Sequence, residues 1–179
     1  MRKLNAIISG LLLLVLLLHG VTGSFVLLGV SNIQGKPLAM GSVGLTAVHT
    51  VLSAILTFRT IRAGMKSGVW YWRQNGWFWI RRLSGVAVLI LIFCHIGLFG
   101  GADGGQYRLF EFTTVKLAVQ LSFISALSLH VFTNVRPLLA SLGVIGYKER
   151  RIDLFLIGSV LLLFFIGATV FYYIGWQFL

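Results

Sequence analysis

Five apolar runs, at about 7–29, 39–60, 83–101, 113–135 and 154–176, leave this chain few folds to adopt. Each is close to the roughly 20 residues that a helix needs to cross a bilayer. Of 179 residues, 58% are hydrophobic and only 11% charged, more apolar surface than a soluble domain of this size can hide. The sequence therefore reads as an all-α integral membrane bundle of five transmembrane helices. The connections are too short for a second domain, so residues 1–179 form one unit. The opening Met1-Arg2-Lys3, a leucine run and Val21-Thr22-Gly23-Ser24 have the outline of a signal peptide. Apolar residues continue through Phe25-Val26-Leu27-Leu28, however, which favours a full-length span.

Charge placement orients the bundle. The net charge of +11 arises from 15 Lys and Arg against four acids. Arg2 and Lys3 precede the first span. Arg59, Arg62, Lys66, Arg73, Arg81 and Arg82 lie between the second and third, and Arg136, Lys148, Arg150 and Arg151 between the fourth and fifth. Only Lys36, Arg108 and Lys116 fall near the other side. The positive-inside rule puts the N-terminus in the cytoplasm and the C-terminus outside, in a multi-pass protein of the cell inner membrane. Basic residues confined to short loops between apolar spans argue against a nucleic-acid partner; the partner they imply is membrane lipid. Trp70, Tyr71, Trp72, Trp77 and Trp79 on the inner side, and Tyr172, Tyr173 and Trp176 on the outer, read as interfacial belts. The stretch 69–80 reads as a short surface segment, and Gly100–Phe112 as a flexible outer loop. Pro37 and Pro137 stand at span ends.

All four histidines, His19, His49, His95 and His130, lie inside spans, one in each of the first four. A polar ring in hydrocarbon is costly without a partner, so each is a functional candidate. Helix rise sorts them by depth. From the basic side, His19 lies roughly 24 Å from Lys3 and His95 roughly 20 Å from Arg82. On the same scale His49 is roughly 15 Å from Arg59, and His130 roughly 9 Å from Arg136. The deep pair, His19 with His95, and the shallow pair, His49 with His130, are plausible diagonal partners in a four-helix bundle. Each pair suits the axial ligation of a six-coordinate haem iron. Zinc fits less well, because two depths divide the set and no cysteine or carboxylate joins it. The single cysteine, Cys94, has no second cysteine for covalent attachment, so any haem is b-type.

Other residues fit around such rings. Gly41, Gly44 and Gly85 allow a flat group close to backbone. Arg81 and Ser84, fourteen and eleven residues before His95, are candidates for propionate contacts of the shallower haem. Lys116, at the outer end of the fourth span, is a candidate for a propionate contact or a quinone-pocket wall. Interfacial snorkelling explains Arg81 and Lys116 as well, and backbone bonding explains Ser84.

Five spans with histidines in the first four, and Arg81-Arg82-Leu83-Ser84-Gly85 ten residues ahead of His95, together resemble one family. It is the di-haem cytochrome b membrane anchor of succinate dehydrogenase and fumarate reductase complexes. The motif resembles the basic-x-Ser/Thr-Gly…His pattern of that family's third span, and the likeness covers the whole chain. It implies that His19 and His95 ligate a distal haem b and His49 and His130 a proximal one. It also implies a flavoprotein subunit and an iron–sulfur subunit on the cytoplasmic face, and a menaquinone-type quinone as electron partner. Any quinone chemistry then belongs to the complex, and bis-histidine ligation makes the haems electron relays.

The chain departs from the family in its carboxylates. No Asp or Glu precedes Asp103, and none lies near His130, whose polar neighbours in sequence are Ser128 and Asn134. Asp103 and Glu111 read as solvated loop residues, so quinone-site residues do not carry over. Two alternatives stay open: a di-haem subunit of a hydrogenase, formate dehydrogenase or b561-type protein, and a cofactor-free small transporter or assembly protein.

Overall fold

The structure is a computed structural model that describes residues 1–32, 35–68, 75–103, 106–146 and 152–178. Five helices carry it: α1 (Arg2–Leu27), α2 (Lys36–Lys66), α3 (Gly76–His95), α4 (Thr114–Ser141) and α5 (Ile152–Phe178). All five are long and apolar enough to cross a membrane. Between α3 and α4 a two-stranded antiparallel hairpin, β1 (Gly100–Asp103) and β2 (Gln106–Leu109), replaces the flexible loop expected there. The bundle thus has a hairpin end and, opposite it, a basic end with Arg59, Arg81, Arg82 and Arg136. Trp70, Tyr71, Trp72, Arg73, Lys148, Arg150 and Arg151 lie outside the described residues. Of the surface segment expected at 69–80, the described part from Gly76 onward is the first turn of α3.

Helix ends follow from local chemistry. Gly29 (φ +71°) ends α1 by taking the left-handed conformation, and Val30 N–H then returns to the Phe25 carbonyl at 3.0 Å. Gly143 does the same for α4, with Val144 N–H on Leu139 at 2.9 Å. Pro37 opens α2 in its first turn, where no intrahelical N–H is needed. The third apolar run reaches residue 101, yet α3 stops at His95: Gly97 (φ +75°) turns the chain, and residues 100–103 and 106–109 pair as the hairpin. Hydropathy marks what suits hydrocarbon, whereas the helix ends where backbone chemistry stops it.

Pro137 shows the same distinction. It stands inside α4, which runs on to Ser141. Proline has no N–H, so the carbonyl four residues back, on Thr133, loses its usual donor. Arg81 Nε fills that vacancy from α3 at 3.0 Å. An unpaired carbonyl in an apolar slab costs several kcal/mol, so this side chain both heals α4 and ties α3 to it.

The helices pack as two hairpins, α1 against α2 and α3 against α4, with α5 lying across α1 and α4. Helices α1 and α4 also touch. Among the described elements α2 makes no close backbone contact with α3 or α4, nor α1 with α3. A gap therefore runs through the diagonals. Side chains reach across it at the basic end, where Arg82 Nε donates to Thr57 Oγ1 at 3.1 Å. The hairpin end is plugged by aromatics: Phe112, with no exposed surface, stacks on Phe99 at 4.9 Å and meets Tyr172 at 5.3 Å. Tyr172 is buried and donates to the Phe110 carbonyl at 3.2 Å, so it is a plug and not part of a belt.

On α5, a Cβ added at Gly158 would stand 2.8 Å from Phe132 Cζ, whose ring also leans on Phe155. Gly158→Ala is expected to displace that ring and destabilise the α4–α5 contact by about 1–3 kcal/mol. The measurement is the thermal unfolding midpoint of the purified protein in detergent, which should fall.

Candidate functional site

The four histidines meet in two pairs across the gap. His19 on α1 faces His95 on α3 toward the hairpin end, with ring centres 6.4 Å apart and planes crossed at 88°. His49 on α2 faces His130 on α4 toward the basic end, also at 6.4 Å, with planes at 74°. Each pair joins two helices that have no close backbone contact. A metal–imidazole nitrogen bond is about 2 Å, so two rings on opposite sides of one ion stand with centres about 6.3 Å apart. Both separations match that requirement.

The proton on each ring matters as much as its position. A neutral imidazole has one N–H and one lone pair, and only the lone pair binds metal. His95 Nδ1 lies 2.8 Å from the amide oxygen of Gln120, which can only accept, so Nδ1 carries the proton. His130 Nδ1 lies 3.1 Å from Ser84 Oγ, and Ser84 spends its single proton on the Arg81 carbonyl at 3.2 Å. The hydroxyl oxygen is thereby left to accept from His130. His49 Nδ1 lies 3.0 Å from Ser9 Oγ, whose proton goes to the Asn5 carbonyl at 2.6 Å. These contacts suit a proton on Nδ1 of all three histidines, an arrangement that leaves the lone pair on Nε2. Outer-shell acceptors of this kind orient metal-bound histidines and raise their basicity.

The remaining contacts are weaker. Ser53 Oγ stands 3.4 Å from His49 Nε2 and 3.3 Å from Asn5 Oδ1, two long contacts for one proton. His19 Nδ1 is buried, and among the described residues it has no hydrogen-bond partner. Gly35, the residue before α2, lies close by: a Cβ there would be 3.8 Å from that nitrogen.

Of the residues singled out beside the histidines, Ser84 lies against an imidazole. It is 4% exposed and grips His130. Arg81 sits one turn away with its Nε on Thr133. Lys116 stands one turn nearer the hairpin end than Gln120, and its Nζ donates to the Glu111 carbonyl at 2.6 Å. Gly85 packs directly under the His130 ring, where an added Cβ would lie 3.1 Å from Cε1. Gly41 and Gly44 make no such approach to a histidine; a Cβ at Gly41 would meet Val15, and Gly44 borders open space. Gln120 is visible in the sequence as a polar residue ten positions before His130, but its role, like those of Ser9 and Ser53, escapes sequence reasoning. The available signal was a polar residue inside a span, but which neighbouring span it faces is a matter of packing.

Among the described residues no group of three or more His, Cys, Asp or Glu could hold a metal ion. Two nitrogens per site do not hold a free ion well. They suffice where a flat macrocycle supplies the other ligands, and the gap lies between the helices that carry them. Haem therefore fits both the donor set and the packing. No protein family, curated protein or solved structure matches the chain.

Gly85→Val would put a branched side chain where the His130 imidazole stands. If each pair binds a haem, the pair at the basic end is expected to lose its own while the other keeps its own. The haem-to-protein ratio of the purified protein should fall by half, with residual absorbance from one component.

Proposed function

We infer that this chain is a di-haem cytochrome b, the membrane anchor and electron-transfer subunit of a succinate dehydrogenase or fumarate reductase complex. The observation that carries the reading is the pair of histidine couples, each with ring centres 6.4 Å apart, between helices that make no close backbone contact among the described residues. Bound haem supplies a one-electron relay through the bilayer. The chain supplies the axial imidazoles: His19 and His95 for the distal haem, His49 and His130 for the proximal one. Ser84 and Ser9 hold the proximal ligands by Nδ1, and Gln120 holds His95. The guanidinium groups of Arg81 and Arg82 bring positive charge to the basic end, where propionate carboxylates need it.

The positive-inside rule puts the basic end in the cytoplasm, in the cell inner membrane. The flavoprotein and iron–sulfur subunits dock there, beside the proximal haem. The quinone belongs at the other end. Leu27, Phe171, Tyr172, Gly175 and Trp176 line a groove of about 300 Å³ between the ends of α1 and α5. Its apolar and aromatic walls suit a quinone ring. Aromatic rings lead to it from His95 through Phe99, Phe112 and Tyr172, with successive centres 5.9, 4.9 and 5.3 Å apart.

A reduced-minus-oxidised spectrum of the purified protein tests the core of the reading. Two b-type haems per chain are expected; none, or one, sinks it. His19→Ala and His95→Ala should remove the same component, and His49→Ala and His130→Ala the other. Co-purification of a flavin-containing subunit separates this complex from other di-haem assemblies. The groove has its own test, because Gly175 has open space where a Cβ would stand. Gly175→Leu should slow reoxidation of the reduced haems by added menaquinone about tenfold, equivalent to about 1.4 kcal/mol, with an unchanged spectrum. An unaltered rate would exclude the groove.

A further inference from the structure

The two histidine pairs are held by unlike chemistry. At the basic end the acceptors on Nδ1 are hydroxyls, Ser84 at 3.1 Å and Ser9 at 3.0 Å. At the hairpin end the acceptor on His95 is an amide oxygen at 2.8 Å, on a side chain only 7% exposed. The His95 ring also stacks on Phe123, centre to centre 4.7 Å and 19° from parallel. Its partner across the gap, His19, meets no acceptor at Nδ1 among the described residues. One residue, Gln120, therefore fixes the proton and, with Phe123, the plane of this pair.

We propose that Gln120 is a positioning residue that holds His95 as an Nδ1–H donor and thereby sets the reduction potential of the distal haem. The inference rests on the di-haem reading. A carbonyl-type acceptor draws the Nδ1 proton toward itself and makes Nε2 a stronger donor to iron. Stronger donation favours the oxidised ion and lowers its potential, and in a dry site the bond is felt more strongly. Among the described residues His19 Nδ1 meets no comparable acceptor, so the pull on this pair enters through the His95–Gln120 hydrogen bond. The competing role for Gln120 is helix glue, since the bond also spans α3 and α4.

The test is potentiometric reduction of the purified, haem-loaded chain, followed by visible absorbance. Gln120→Leu removes the acceptor at similar bulk. At an ambient potential near the wild-type midpoint, the ratio of reduced to oxidised distal haem should rise about tenfold, which is about 59 mV for a one-electron couple. The proximal component should not move; the distal one is identified as that missing from His95→Ala. A curve that superposes on wild type, or a shift confined to the proximal haem, overturns the proposal. If Gln120→Leu instead loses the distal haem alone, Gln120→Glu, which keeps an acceptor oxygen of the same reach, should restore it. Loss of both haems, or no rescue by Glu, assigns Gln120 to helix packing and also overturns the proposal. A wild-type protein without b-type haem defeats the functional reading itself, before any variant is compared.

Discussion

An imidazole buried among apolar helices has one proton to place, and its placement decides what the other nitrogen can do. In this bundle Gln120, Ser84 and Ser9 take the proton at Nδ1 of three histidines. Each acceptor sits on a helix adjacent to its histidine: α4 for His95, α3 for His130, α1 for His49. The close contacts within each helical hairpin therefore serve to orient rings that point away from it, across the gap. Pairing within hairpins fixes the tautomers, and pairing across the diagonals uses them. If the acceptors were lost, the rings would still be present but with no reason to present Nε2.

Residues 81–85 concentrate the structural requirements of the basic end. Arg81 supplies the hydrogen bond that Pro137 denies to the Thr133 carbonyl, which fixes the height of α3 against α4. With the height fixed, Ser84 meets His130 Nδ1, and Gly85 leaves room for the ring beside it. Arg82 reaches the other way, to Thr57 on α2, with its guanidinium 4.2 Å above the Phe78 ring. A proline in one helix thus explains an arginine in another. The hairpin end is organised differently, by the Phe99–Phe112–Tyr172 cluster and by hydrogen bonds from Tyr172 and Gln177 of α5 to the Phe110 and Phe112 carbonyls.

Much of this was legible in residue order, and the limits have physical causes. Five helices follow from apolar runs of the right length, because in hydrocarbon the backbone has few other ways to satisfy itself. Depth along each helix follows from rise per residue, which is why His19 falls level with His95 and His49 with His130. Helix ends were less legible. Gly97 stops α3 inside an apolar run, and Arg81 lets α4 continue past Pro137, and both depend on bonds that hydropathy does not register. The acceptors Gln120 and Ser9 were the least legible. Each is twenty-five or more residues from its histidine, and their roles depend on which helix faces which. Arg81 reads from the sequence as a propionate contact or a snorkelling cation; its Nε meets the Thr133 carbonyl, a bond that only the packing of α3 on α4 reveals.

The empty diagonals have a consequence for biogenesis. The α1–α2 and α3–α4 hairpins each hold together by their own contacts, so each can enter the bilayer from the ribosome and pack before the other arrives. Among the described residues α2 and α3 make no close backbone contact. On the di-haem reading, a flat, lipid-soluble ring would enter from the membrane on that side after translation, without unfolding any helix. If haem is the cofactor, maturation becomes a lateral event in the plane of the bilayer, and the last tertiary contacts are made through a molecule the chain does not encode.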